Sequence, residues 1–165
     1  MMDRRYVIAW NKPYLPDIAP TIQKEKTMVS DPISGDPNVR ASILVMDDEE
    51  HIRTITQKML EKFGYSVSLT EDGEKAIEMY SKALEKNSPF DLVIMDLTIP
   101  GGMGGKDASQ AILKMDPAAC IIISSGYSND PVMSDYAAYG LKGIIPKPYR
   151  IAELKTTVEK ILTGK

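Results

Sequence analysis

From Ser42 onward the chain alternates between two patterns of apolar and polar positions. SILVM (42–46), FDLVIMD (90–96), CIIIS (120–124) and GIIP (143–146) are short, nearly solid apolar runs that suit strands buried on both faces. YSVSL (65–69) alternates and completes a set of five strands. Between the runs, apolar residues recur at helical spacing. HIRTITQKMLEKFG (51–64) aligns Ile52, Ile55, Met59, Leu60 and Phe63, with Gly64 as a stop. GEKAIEMYSKALEKN (73–87) is amphipathic through Ala76, Ile77, Tyr80 and Leu84. KDASQAILKM (106–115) is a weaker helix that ends before Pro117. DPVMSDYAAYG (130–140) fits one helix with Pro131 in its first turn and Gly140 at its end, and IAELKTTVEKIL (151–162) closes the chain. Strand–helix alternation with solid apolar strands predicts a parallel sheet covered on both faces, joined by right-handed crossovers.

Residues 1–40 break the pattern. Five of the eleven prolines fall here (Pro13, Pro16, Pro20, Pro32, Pro37), together with the only Trp, Trp10. Proline fixes φ and lacks an N–H, so this spacing excludes a long helix or a central strand. YVIAW (6–10) is expected as a short strand or an apolar plug, and SDPISGDPN (30–38) as a turn-rich linker. The chain therefore divides into an extension, residues 1–40, and one domain, residues 41–165.

Composition adds exclusions. A net charge of -3 without a basic stripe gives no nucleic-acid surface. No apolar run approaches the ~20 residues of a membrane span, and the N-terminus lacks the apolar core of a secretory signal. The expected location is the cytoplasm. The single cysteine, Cys120, lies in AACIII and reads as a small buried hydrophobe. The ten methionines read as core filler and helix-face residues.

In parallel α/β sheets ligands gather outside the carboxyl ends of the strands. The first strand ends in Asp47-Asp48, the third in Asp96, the fourth in Ser124-Ser125 and the fifth in Lys147. Three carboxylates in one cleft repel one another unless a cation neutralises them, and a hard divalent ion with oxygen ligands, magnesium, suits them. A carboxylate is a competent nucleophile toward phosphorus, and an ammonium such as Lys147 and a hydroxyl such as that of Ser125 can neutralise or donate to phosphoryl oxygens. The isolated alternatives are blander. An Asp-Asp pair after a strand is commonly a solvated helix start. GGMGGK fails the Walker pattern because Asp107 follows the lysine and Pro100 takes the first glycine's place. His51, beside the acidic pair, reads as a surface histidine.

ILVMDDEE, DLVIMDLTIPGGMGG, IIISSGYSND and GIIPKPYR stand in order, with 48, 29 and 22 residues separating Asp48, Asp96, Ser125 and Lys147. In these four pieces the chain from about 41 to 165 resembles the receiver domain of response regulators, with wording closest to receivers of hybrid histidine kinases. The resemblance implies a flavodoxin-like (βα)5 sheet in strand order 2-1-3-4-5. It also implies a phosphoryl group taken from a histidine kinase or phosphotransfer protein. In that scheme Asp96 is the phosphoacceptor, and Mg2+ is held by Asp47, Asp48, Asp96 and the backbone carbonyl of Thr98. Ser125 is the switch hydroxyl, and Lys147 pairs with Asp96 or its phosphate before a cis peptide bond to Pro148. The chain is then a signalling module and catalyses only its own phosphorylation and dephosphorylation.

Three departures stand out. Ile144 replaces the family's switch aromatic on the fifth strand. GGMGG lacks the acid often present near Met103, and its glycines are expected to make the loop mobile. The modulating positions two beyond Asp96 and Ser125 are Thr98 and Tyr127, the latter a candidate shield against water. Two other readings compete: a degenerate receiver serving as a binding scaffold, and a haloacid-dehalogenase-like Asp phosphatase. The phosphatase needs a second acid where Thr98 stands. Homodimerisation is expected through either the face of the fourth helix, fifth strand and fifth helix, with Tyr136, Tyr139 and Lys142, or the N-terminal extension.

Overall fold

Each apolar run becomes a strand of four or five residues: β1 Ser42–Met46, β2 Ser66–Thr70, β3 Leu92–Asp96, β4 Ile121–Ser125 and β5 Gly143–Pro146. These belong to a computed structural model that describes residues 39–126 and 130–164. The YVIAW run, Trp10, the linker 30–38 and Tyr127 lie outside the described residues. All four pairings are parallel, and the order is β2-β1-β3-β4-β5, as the resemblance implied. Helices α1 Glu50–Lys62, α2 Gly73–Glu85, α3 Gly105–Met115, α4 Pro131–Ser134 and α5 Ile151–Thr163 follow strands in turn.

Strand side chains alternate between faces, and here both faces are apolar. Leu44, Met46, Val93, Met95, Ile121 and Ile123 pack toward Ala76 and Tyr80 of α2, Ala108 and Ile112 of α3, and Val132 of α4. Ile43, Val45, Leu92, Ile94, Ile122 and Ile145 pack toward Leu60 of α1 and Leu154 and Val158 of α5. The solid apolar runs are thus two half-patterns interleaved, one for each layer of helices.

The fourth helix differs from expectation. Instead of one helix over 130–140, α4 stops at Ser134, and a 3-10 turn, Tyr136–Tyr139, follows. Two aspartates explain the break. Asp130 accepts from the Val132 N–H at 2.8 Å and starts the first turn. Asp135 leaves helical geometry (φ -140°, ψ 54°) and its side chain accepts from the Ala138 N–H at 3.4 Å, starting a second. Short acidic side chains compete in this way with helix hydrogen bonds. Gly140, at φ 77°, ends the segment as its position suggested.

The glycines between β3 and α3 serve close packing. A Cβ on Gly104 would stand 2.4 Å from the Leu97 carbonyl oxygen, and one on Gly105 would stand 2.5 Å from that of Asp96. Their lack of a side chain lets α3 start directly against the end of β3. Gly105→Ala is therefore expected to lower unfolding free energy by about 2 kcal/mol, the cost of overpacking against backbone. Gly126→Ala, with open space around its added Cβ, should stay near wild type. Denaturant titration of both variants checks this, and equal midpoints would refute it.

Candidate functional site

The β1–β3–β4–β5 register carries four polar side chains to one end of the sheet and onto one side of it. Val45 is level with Ile94 and Met46 with Met95, Asp96 pairs with Ser124, and Ser124 pairs with Ile145. By alternation Asp47, Asp96, Ser124 and Lys147 continue the face that packs on α1 and α5. Ser125 and Ile144 fall on the opposite face, and Ile144 packs half-buried against the α2–α3–α4 core. The sequence placed Asp47, Asp96, Ser124, Ser125 and Lys147 at strand ends and Ile144 on the fifth strand, and the sheet sorts them into two groups.

Lys147 sits between two carboxylates. Its Nζ is 2.6 Å from Asp47 Oδ2 and 2.7 Å from Asp96 Oδ2, and its side chain is 13% exposed. The contact to Asp96 is an aligned hydrogen bond. The Asp47 contact lies off the line a hydrogen bond prefers, so Asp47 Oδ2, fully buried, has an ion partner but no aligned donor. The Lys147–Pro148 peptide is cis, as expected. Glu49 N–H donates to Asp47 Oδ1 at 3.0 Å, and Thr98 N–H makes a long 3.4 Å contact with Asp96 Oδ1.

Electrostatics in the cleft follow from burial and charge count. Burial pushes the Asp96 carboxyl above the usual carboxylate range, Lys147 pulls it down, and Asp47 adds to the rise. For Lys147 burial works against the ammonium, but the two carboxylates of Asp47 and Asp96 beside it outweigh burial and leave the net shift upward. One oxygen from each of Asp47, Asp48 and Asp96 lies within 4.8 Å of the others. Oxygens bound to one Mg2+ at about 2.1 Å can be no more than about 4.2 Å apart. The trio is thus within a small adjustment of such a site. Three carboxylates against one ammonium leave excess negative charge, and Asp47 Oδ2 lacks an aligned donor. An oxygen-only donor set with these properties fits a hard divalent cation.

Among the other residues singled out, Ser125 ends β4 and is buried, and Thr98 is exposed at the mouth of the cleft. His51 lies on the surface with Nε2 3.5 Å from Glu49, matching its bland reading. Cys120 is buried.

Two residues escaped the sequence reading. Arg53, one turn into α1, donates from Nη1 to the carbonyls of Asp47 (2.6 Å) and Asp48 (2.9 Å). Its only signal was a cation near a helix N-terminus, where the dipole disfavours one. Tyr149, two residues after Lys147, packs into the α1–α5 core, and burial pushes its phenol up to about 12. Its hydroxyl faces that of Ser124, whose oxygen is fully buried without a partner in full hydrogen-bonding geometry.

Comparison with known proteins places this geometry. The sensor kinase CckA of Brucella abortus is 30% identical over 146 residues, 88% of this chain, and the chain spans only 15% of that kinase's length. The chemotaxis protein CheY of Thermotoga maritima is 31% identical over 72% of this chain and 95% of its own. Among solved structures, the response regulator TrrA of T. maritima, in complex with Mg(2+)-BeF, superposes with a TM-score of 0.62 at 31% identity. That match covers 73% of this chain and 98% of TrrA. No helix among the described residues is long and apolar enough to cross a membrane. The family model described as the response regulator receiver domain matches residues 43–159, and the chain belongs to that family of two-component signalling modules.

Proposed function

We propose that Asp96 is the phosphoacceptor of this receiver and that Asp47, Asp48, Asp96 and the Thr98 carbonyl hold Mg2+ beside it. The observation that carries the reading is Lys147 Nζ, 2.6 Å from Asp47 and 2.7 Å from Asp96, with Asp48 completing the acidic trio. An Asp96 carboxylate oxygen attacks the phosphorus of a phosphohistidine. The P–N bond breaks, its electron pair stays on the imidazole, and an acyl phosphate forms. When bound, the metal supplies charge neutralisation at the phosphoryl oxygens. Lys147 follows its partner and pairs with a phosphoryl oxygen, and Ser125 donates its hydroxyl to another. Tyr127 shields the acyl phosphate from water. Ile144 leaves the response to the packing of α4 rather than to an aromatic swing.

The phosphodonor is a histidine kinase or phosphotransfer protein. A cavity of about 130 Å³ lined by Ile52, Ile55, Met59, Lys147, Pro148 and Tyr149 opens beside the cleft. Ile55, 46% exposed, gives a donor helix an apolar seat there. The module works in the cytoplasm. Residues 1–40 are an extension to the domain, and the 146 residues matched to CckA outnumber the 125 from 41 to 165. That excess supports an origin beside a hybrid kinase. TrrA takes Mg(2+)-BeF, which supports the same ligand here. Beryllofluoride with Mg2+ is expected to bind the full chain tightly and to fail with Asp96→Ala, read by calorimetry. Wild-type protein indifferent to beryllofluoride would instead mark a degenerate receiver acting as a scaffold.

A further inference from the structure

Among the described residues no hydrogen bond holds the exposed Asp48 carboxylate, and the α1 N-cap residue, Glu49, makes no side-chain cap. The turn that aims both acids is held by backbone. Glu49 N–H reaches Asp47 Oδ1, and one guanidinium nitrogen of Arg53 spans the carbonyls of Asp47 and Asp48 at 2.6 and 2.9 Å. Long side chains on a helix lean back toward its N-terminus, which carries Arg53 from α1 onto this turn. Two consecutive carbonyls fixed by one donor set the peptide planes on both sides of Asp48, and so the direction of its side chain.

We infer that Arg53 is a positioning residue for the divalent cation, acting through the backbone of Asp47 and Asp48. The inference rests on the magnesium reading of the cleft and concerns how the protein prepares that site. Two effects of Arg53 on the metal have opposite sign. Its positive charge repels an incoming cation, whereas its carbonyl clamp presents the ligands. Removal of the side chain therefore reports which effect governs. A positioning role predicts weaker Mg2+ binding in Arg53→Met, by about tenfold, the usual scale for a group that orients metal ligands. A purely electrostatic role predicts tighter binding in the same variant. Arg53→Lys keeps the charge but has a shorter reach and no planar nitrogen fixing two N–H directions, so its loss should be smaller than that of Arg53→Met yet measurable.

Mg2+ calorimetry on the full chain, with thermal unfolding in Mg2+-free buffer as a check on folding, makes the test. Weaker Mg2+ binding in Arg53→Met, with a partial loss in Arg53→Lys, is the expected result. Binding in both variants as tight as in wild type, or tighter, overturns the inference. Should Arg53→Met fail to fold, Arg53→Lys decides alone. A wild-type chain that takes up no Mg2+ sinks the metal reading itself, a result separate from equal binding by wild type and variants.

Discussion

Lys147→Met is expected to cost about 3 kcal/mol of stability at pH 7, the scale for deleting one partner of a buried ion pair. Methionine keeps most of the side chain's volume, so the loss falls on charge. Asp47 and Asp96 are then left side by side, 1% and 11% exposed, with no ammonium between them. The deficit should shrink on acidification. Burial and Asp47 already hold Asp96 above the carboxylate range, and removal of Lys147 raises it further. Below that raised value the folded state binds a proton that the unfolded state has lost, so stability recovers as pH falls and declines again as pH rises through it. Saturating Mg2+ should recover part of the same loss at pH 7. In wild type the opposite limb appears at alkaline pH. The upward-shifted Lys147 contributes fully below its ordinary value near 10.4, and that contribution is lost above it. Denaturant unfolding at pH 5 and 7, with and without Mg2+, tests the variant, and a deficit indifferent to both conditions would count against this account.

Asp48→Ala should behave in the reverse manner. Asp48 is exposed and forms no ion pair among the described residues, so its loss leaves the Lys147 pairings intact. Stability without metal should match wild type or rise slightly, since one carboxylate of a repelling trio is gone. The increase in unfolding temperature on adding Mg2+ should disappear. Phosphorylation of Asp96 should slow by about a hundredfold or more, the cost of losing one element of transition-state charge stabilisation. Melting curves with and without Mg2+, alongside phosphoprotein yield, measure both. A variant still stabilised by Mg2+ to the wild-type extent would remove Asp48 from the site.

The parts of this molecule written as patterns were readable in its sequence. SILVM and GIIP match β1 and β5 residue for residue, because a short, mostly apolar run between polar segments marks a strand covered by helices on both faces. Asp47, Asp48, Asp96 and Lys147 were readable because parallel topology alone gathers strand ends. What escaped depends on directions that no residue pattern encodes. Arg53 matters through where two carbonyls of a turn point. Tyr149 matters through a ring turned inward beside Ser124. The break at Asp135 arises where a local side-chain hydrogen bond beats the next turn of helix, a contest that helical spacing does not register. Gly104 and Gly105 suggested looseness in isolation. Only the carbonyls of Leu97 and Asp96 opposite them show that they permit contact.

Ser124 and Ser125 are neighbours in β4, yet alternation sends one toward Lys147 and the charged cleft and the other toward the α2–α3–α4 layer. The sheet thus divides the domain like a bulkhead, and the Ser124–Ser125 peptide unit is one place where its two sides meet. If Ser125 turns its hydroxyl to a phosphoryl group, as proposed, that crossing is where the cleft draws on the far layer.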